Sequence, residues 1–242
     1  MKQHEAVIKV MEQNGGYATF AHLYQNVLKV TGVEWKTKTP FASIRRIVQD
    51  ERFFFKIRPG LWALKSHKHL LPAEMIPTKK ETPRQIEFTH SYYQGLLIQL
   101  GNIRSFETFI PSQDKNKVFL GEERLGNLAS LTKIYPFTYS TIISKAQTID
   151  VVWFNSRKMP ASFFEVEHTT DIKNSLIKFV ELQDFRTDMV IVADEIRKKH
   201  YYEALSLNAF KSIRDYVSFW SYQQLSQLHS RTFELKVIQD AM

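Results

Sequence analysis

Three carboxylates interrupt two strand-like runs near the middle of the chain. The runs TIDVVWF and SFFEVEHTT are rich in Val, Ile, Phe and Trp, and the polar segment NSRKMPA separates them. They predict an antiparallel hairpin that carries Asp150 on its first strand and Glu165 and Glu167 on its second. If the loop is centred between Arg157 and Lys158, paired residues have numbers that sum to 315, so Asp150 lies opposite Glu165.

Carboxylates facing one another destabilise a sheet unless a proton or a cation compensates them. Because side chains alternate along a strand, Glu165 and Glu167 should project to the same side, toward Asp150. A hard divalent cation such as Mg²⁺ would fit this set, with Asp150 and Glu165 as ligands and Glu167 as the basic group. The alternative is an amphipathic hairpin whose carboxylates face solvent, and a slip of one residue would move Asp150 to the other face.

The helix predicted after this hairpin, TTDIKNSLIKFVELQDF, supplies candidate cations. Its polar side chains Lys173, Asn174 and Lys178 lie either near the carboxylates or in solvent. Of these, Lys173 is the candidate active-site cation, and a solvated helix face is the alternative. A second basic run, Arg197 to His200, either follows a phosphate backbone or faces solvent. Gln94, on the helix predicted before the hairpin, could also reach the carboxylates.

The N-terminal third has the pattern of a winged helix. Three short amphipathic helices are predicted in HEAVIKVMEQNGG, ATFAHLYQNVLKV and TPFASIRRIVQDERF, and FFFKIRPGLWALK predicts a hairpin with Pro59 and Gly60 in a type II turn. In the third helix Phe41, Ile44 and Val48 should point inward. The remaining polar side chains of this helix and of the wing are the candidate DNA contacts: Ser43, Arg45, Arg46, Gln49, Lys56 and Arg58.

Composition limits the function classes. The net charge is +8, and residues 1–83, with 14 basic and 7 acidic residues, account for +7 of it, which favours a polyanionic partner. With no cysteine, the chain has no disulfide, Cys-ligated zinc, iron–sulfur cluster or thiol nucleophile. No apolar run reaches membrane-span length and no signal peptide is recognisable, so we expect a cytoplasmic protein without membrane contact.

The order of predicted elements suggests an α/β protein, α+β overall, with two domains. Residues 1–65 form the winged helix, residues 66–82 a linker, and residues 83–242 a mixed β-sheet domain flanked by helices.

Two resemblances extend this interpretation. WKTKTPFASIRRIVQDERFFFKIRPGLWALK resembles the HARE-type helix-turn-helix domain, a winged helix of chromatin proteins and restriction endonucleases, which implies DNA binding. The Asp, hairpin and Glu-x-Glu pattern is similar to the core of the PD-(D/E)xK nuclease superfamily over about residues 84–220, as found in restriction-endonuclease-like proteins. That likeness implies a metal site with Asp150, Glu165 and Val166, and it puts Glu167 where lysine is usual, so Lys173 is the alternative source of the ammonium group.

The resemblances imply an Mg²⁺-dependent endonuclease of duplex DNA, most simply a type II restriction endonuclease that recognises a short sequence. The other interpretations are a catalytically inactive nuclease fold that regulates by binding DNA, and a modification-dependent or repair nuclease. Cutting both strands requires either a homodimer or sequential nicking, and the sequence does not choose between them. Neither the recognition sequence nor the cut position can be read from the residues.

Overall fold

The computed structural model describes residues 1–240. Its residues group into two compact units, one made of residues 1–85 together with the segment from Ser226 onward, the other of residues 86–225. The sequence pattern assigns all of residues 83–242 to one domain, so the two divisions differ at the C-terminal helix. No helix within the described residues is long and apolar enough to cross a membrane.

The first unit is a three-helix winged helix. Its elements are α1 (Gln3–Gln13), β1 (Tyr17–Thr19), α2 (Phe20–Asn26), α3 (Pro40–Ile47), β2 (Phe54–Arg58) and β3 (Leu61–Leu64). β2 and β3 form the predicted wing, and Gly60 at its turn has a φ of 82°, the positive value that a type II turn requires at this position. The predicted helices and hairpin are therefore confirmed, and β1, which the sequence analysis did not predict, completes the sheet in the order β1-β3-β2.

The core of this unit comes from the apolar faces of its helices. Phe41, Ile44 and Val48 of the third helix are buried as predicted. Pro40 begins α3, where its missing N–H costs no hydrogen bond, and Thr39 precedes it without a side-chain capping bond. The stretch predicted to be a linker, residues 66–82, is more ordered than expected, since it contains 3-10 turns at Lys65–Leu70 and Ala73–Met75.

The second unit is built on a mixed five-stranded sheet. The helices and strands from here to the end of the described chain are α4 (Pro83–Ile103), β4 (Glu107–Phe109), β5 (Val118–Leu120), β6 (Glu123–Arg124), α5 (Leu125–Leu128), α6 (Ser140–Ala146), β7 (Val151–Phe154), β8 (Pro160–Glu167), α7 (Ile172–Val180), β9 (Asp188–Ala193), α8 (Lys198–Leu205), β10 (Val217–Ser221) and α9 (Tyr222–Asp240). The sheet order is β10-β9-β8-β7-β4, with β8, β9 and β10 parallel and the β4–β7 and β7–β8 pairs antiparallel. The predicted fold class, a winged helix followed by a mixed sheet with helices, is confirmed.

Helix α4 packs directly on the sheet at a glycine. A Cβ atom on Gly101 would lie 2.6 Å from Nε1 of Trp153 and 2.7 Å from Cγ2 of Thr108, closer than carbon can approach either atom. The same Trp153 Nε1 donates a hydrogen bond to the carbonyl of Leu97 at 3.1 Å. Gly101 therefore allows the end of α4 to rest against β7 and β4 without an intervening side chain.

Candidate active site and DNA-contact residues

The β7–β8 hairpin has the predicted register. Val151 pairs with Phe164, Val152 with Phe163 and Trp153 with Ser162, so the paired numbers sum to 315, and a bulge shifts the register only near the loop. Asp150, directly before β7, accepts a hydrogen bond on Oδ2 from the Val166 amide at 2.8 Å. Its own amide donates to Oε1 of Glu165 at 3.3 Å, so the predicted apposition of Asp150 and Glu165 is present.

Glu165 and Glu167 lie on the same side of β8, as strand alternation requires. The hydroxyl of Ser175, on α7, is hydrogen bonded both to Oε2 of Glu165, at 2.9 Å, and to Oε1 of Glu167. The other oxygen of Glu167 accepts a hydrogen bond from Thr170. Both glutamate side chains are buried, which excludes the alternative of a solvent-facing carboxylate row.

The cation at this site is Lys178. Its Nζ lies 2.9 and 2.8 Å from the two carboxylate oxygens of Glu165 and donates to the Thr148 carbonyl at 2.9 Å. Lys173, the residue expected to supply the ammonium group, is exposed instead. The physical reason is helical phase: Ser175 and Lys178 are three residues apart and share the face of α7 that meets the carboxylates, whereas Lys173 lies two residues before Ser175, on the opposite face.

Two side chains of α4 approach the same Asp150. His90 Nε2 lies 3.2 Å from Asp150 Oδ2, and Gln94 Nε2 donates to the Asp150 carbonyl at 3.2 Å and to Asp114 Oδ2 at 2.8 Å. Asp114 is itself buried and ion-paired with Lys117 at 2.7 Å. Gln94 is a candidate from sequence, whereas the sequence analysis missed His90, one helical turn earlier on the same face.

The two central carboxyl groups have opposite electrostatic surroundings. Burial and the charge of Asp150 hold the pKa of Glu165 well above its usual value, although Lys178 and Ser175 oppose them. Burial also acts to raise the pKa of Asp150, but the hydrogen bond and charge of His90 and the Val166 amide outweigh it, so the pKa of Asp150 is lowered. The Ser175 hydroxyl has a single proton to share between Glu165 and Glu167, so the ammonium group of Lys178 is the main compensation for the Glu165 carboxylate.

These residues fit a hard divalent cation. Within residues 1–240 no three His, Asp or Glu side chains are grouped closely enough to hold a metal ion by themselves. The ligand set implied by the resemblance is the pair of carboxylates of Asp150 and Glu165 with the main-chain carbonyl of Val166, and the Glu167 oxygens accept hydrogen bonds from Ser175 and Thr170. Mg²⁺ prefers oxygen donors and usually takes only one or two carboxylates. In the structure the ammonium group of Lys178 compensates the Glu165 carboxylate at 2.8 Å.

Of the six candidate DNA contacts, Arg46, Gln49 and Lys56 are exposed, and Ser43 is partly exposed. Two of the arginines are engaged within the first unit. Arg45 donates to the Tyr24 hydroxyl at 2.9 Å and to Oε2 of Glu234 at 2.6 Å. Arg58, whose side chain is only 10% exposed, is ion-paired with Glu81 at 3.3 Å. The guanidinium groups of Arg45 and Arg58 therefore bind protein carboxylates in the structure, and the contact of the six residues with DNA remains a prediction.

Adjacent arginines on α3 should consequently behave differently. We expect Arg46→Ala to weaken binding to duplex DNA and to reduce the slope of log affinity against log salt by about 1, as for one lost phosphate contact. Arg45→Ala should instead lower the free energy of unfolding by about 1 to 3 kcal/mol, because Glu234 and Tyr24 lose their charged hydrogen-bond donor. Fluorescence anisotropy at several salt concentrations and urea unfolding measure the two effects, and equal behaviour of the two variants would contradict the assignment.

Comparisons with known proteins agree with both units. Residues 1–67 match the model of the HARE-HTH family, whose description includes a restriction endonuclease HTH domain. Residues 70–242 match the C-terminal domain of a type II restriction enzyme, which gives the class of the protein. Specifically, the chain belongs to the family of the type II restriction enzyme NmeDI C-terminal domain. The resemblance to restriction endonucleases and to the HARE-type domain is thereby confirmed.

One curated relative is the restriction enzyme that gives this family its name. The chain is 25% identical over 176 residues to the type II restriction enzyme NmeDI of Neisseria meningitidis serogroup C. The aligned part covers 68% of this chain and 49% of the relative, so the chain spans about half the length of that protein. No solved structure matches the chain.

Proposed function

We propose that the protein is an Mg²⁺-dependent endonuclease that hydrolyses phosphodiester bonds in duplex DNA at a short specific sequence, as a type II restriction endonuclease in the cytoplasm. The observation that supports this most is the convergence of Asp150, Glu165 and Lys178 at the end of one hairpin. A pair of apposed carboxylates, one buried and one partly buried, costs folding free energy that a bound cation offsets. Membership of a restriction-enzyme family supports the same conclusion.

The metal site uses three groups of the hairpin. Asp150, Glu165 and the Val166 carbonyl would hold Mg²⁺, which when bound supplies Lewis-acid polarisation of the phosphate and a more acidic water. The His90 hydrogen bond and the Val166 amide fix the orientation of the Asp150 carboxylate. Gln94 donates a hydrogen bond to the main-chain carbonyl of Asp150, so side chains of α4 position this ligand.

Glu167 and Lys178 are proposed as the general base and as the cation that stabilises charge on the phosphate. Glu167 is the proposed general base: Thr170 and Ser175 orient its carboxylate, and one of these hydroxyl donors would be exchanged for the attacking water when substrate binds. Burial acts to lower the pKa of Lys178, but the charge and hydrogen bonds of Glu165 outweigh it and raise that pKa, so the ammonium group stays protonated. It can therefore stabilise the negative charge that develops on the phosphate, the role usually given to the lysine that Glu167 replaces.

DNA docking is the role we propose for the winged helix. Arg46 on α3 and Gln49 just after this helix are exposed, as is Lys56 on the wing, and most of the excess positive charge of the chain lies within residues 1–83. A homodimer would bring one active site to each strand, whereas a monomer would cut the strands in sequence.

Incubation with unmethylated plasmid DNA tests the function. With Mg²⁺ we expect discrete fragments that reflect cutting at fixed sites, and with EDTA we expect none. Cleavage of methylated plasmid alone would favour the modification-dependent nuclease. DNA binding without cleavage of either plasmid, in Mg²⁺ or Mn²⁺, would favour the inactive regulator.

A further inference from the structure

A second cleft lies beside the candidate active site within the second unit. It has a volume of about 860 Å³ and lies between the segment that joins β8 to α7 and the start of α8. Its lining includes the cationic side chains of Lys173 and Arg197, the His200 ring, and the hydroxyl-bearing residues Thr169 and Thr170. Among the described residues that line it, histidine supplies the only aromatic rings, so the cleft offers no extended surface on which a base would stack.

The basic side chains in and beside the cleft differ in whether an acidic side chain pairs with them. In the basic run from residue 197 to 200, Lys198 pairs with Glu195 at 2.9 Å and Lys199 with Glu203 at 3.7 Å. The carboxylate of Asp171 accepts a hydrogen bond from the Lys173 amide and so caps α7. Asp171 and Glu203 also line the cleft, but Asp171 caps α7 and Glu203 pairs with Lys199, whereas the cationic groups of Lys173 and Arg197 have no carboxylate partner among residues 1–240.

Arg197 lacks an acceptor on one side of its guanidinium group. Nη2 donates to the Thr170 carbonyl, but Nη1 is buried and has no hydrogen-bond partner within residues 1–240. A buried donor without an acceptor typically costs about 1 to 3 kcal/mol. An anionic oxygen in the cleft would satisfy it, and arginine suits phosphate because its planar fork donates two parallel hydrogen bonds.

Thr170 connects this cleft to the carboxylates. Its hydroxyl donates a hydrogen bond to Glu167, and its carbonyl accepts one from Arg197. A ligand bound by Arg197 would therefore be separated from the candidate general base, Glu167, by Thr170. A DNA strand carries one phosphate per nucleotide, so one phosphate can lie in the cleft while a neighbouring phosphate lies at the carboxylates.

We propose that this cleft binds a backbone phosphate of the DNA strand next to the bond that is cut, through Arg197, Lys173 and the Thr169 hydroxyl group. This inference rests on the proposed nuclease function and assigns Lys173 to substrate binding. It also gives the residues of the basic run different roles. Arg197 and His200 face the phosphate, and Lys198 and Lys199 form surface ion pairs.

Salt dependence of DNA binding tests the cleft. In the full chain with EDTA present, Lys173→Gln and Arg197→Gln should each reduce the slope of log affinity against log salt by about 0.9 and weaken binding about five- to tenfold at about 0.1 M salt. Lys133→Gln, which removes the same charge at an exposed site outside the cleft, should leave both quantities unchanged. If Arg197→Gln does not fold, Lys173→Gln alone decides, because that side chain is exposed.

Kinetics separate this inference from the function itself. The cleft variants should raise KM and leave kcat within about twofold. Once the cut position is mapped, a neutral methylphosphonate at the neighbouring phosphate should weaken wild-type binding, and the Lys173→Gln variant should lose no further affinity. If the cleft variants cleave normally with an unchanged KM and an unchanged salt slope, the proposed phosphate site is overturned and the nuclease proposal is left intact. A reduced slope without any cleavage by the wild-type protein would overturn the nuclease proposal while still supporting phosphate binding.

Discussion

Replacing Asp150 with Asn or Glu165 with Gln is expected to lower the rate of Mg²⁺-dependent DNA cleavage by about a thousandfold. Each change keeps the size of the side chain and removes a charge that would hold the metal ion, and a loss of about 4 kcal/mol of transition-state stabilisation corresponds to that factor. Single-turnover cleavage of plasmid DNA at several Mg²⁺ concentrations measures it. Because neither residue belongs to the winged helix, DNA affinity in EDTA should stay within a few fold of wild type.

The matched control is Asp184→Asn, an exposed carboxylate in the same unit, which should cleave at the wild-type rate. Thermal unfolding of each variant confirms that it is folded. A wild-type cleavage rate in Asp150→Asn or Glu165→Gln would show that the substituted residue is not part of the active site. The catalytic residues would then lie elsewhere in the chain.

Lys178→Met should reduce kcat by about a hundred- to a thousandfold, the range seen when one charged or hydrogen-bonding group is removed from around a developing negative charge. The reason is geometric: Lys178 is the lysine whose ammonium group contacts Glu165, at 2.8 Å. Saturating single-turnover kinetics measure kcat separately from substrate affinity.

Lys173→Met, five residues earlier on the same helix, is the comparison. It removes the same charge but should change KM and leave kcat nearly constant, because its side chain lies outside the hydrogen-bond network of the carboxylates. A larger loss of kcat in Lys173→Met than in Lys178→Met would restore the assignment made from sequence.

The features that sequence predicts well here are local or periodic. The register of the β7–β8 hairpin follows from the position of its loop, because the pairing of both strands is set once the loop centre is known. The wing follows from Pro59 and Gly60 in the same way. In contrast, β1 is only three residues long, too short for its alternation to be distinguished from the loop around it.

The features that sequence misses depend on phase or on distant partners. The sequence places Lys178 with Lys173, near the carboxylates or in solvent, and the choice between the two lysines depends on the phase of α7, which its starting residue fixes. His90 had a similar signal, four residues before Gln94. Arg45 had none, because its partner Glu234 is 189 residues away in the chain. An arginine on a recognition helix cannot be told from a structural one until that partner is known.

The glycine at position 101 has a consequence for mutational tolerance. Any side chain there must displace Trp153, break its hydrogen bond to Leu97, or move α4 off the sheet. The same helix carries His90 and Gln94, whose contacts with Asp150 are at 3.2 Å and leave little room for such movement. A random-mutagenesis screen for lost cleavage should therefore recover substitutions at Gly101 alongside those at the carboxylates, although this residue has no functional group and takes no part in the chemistry.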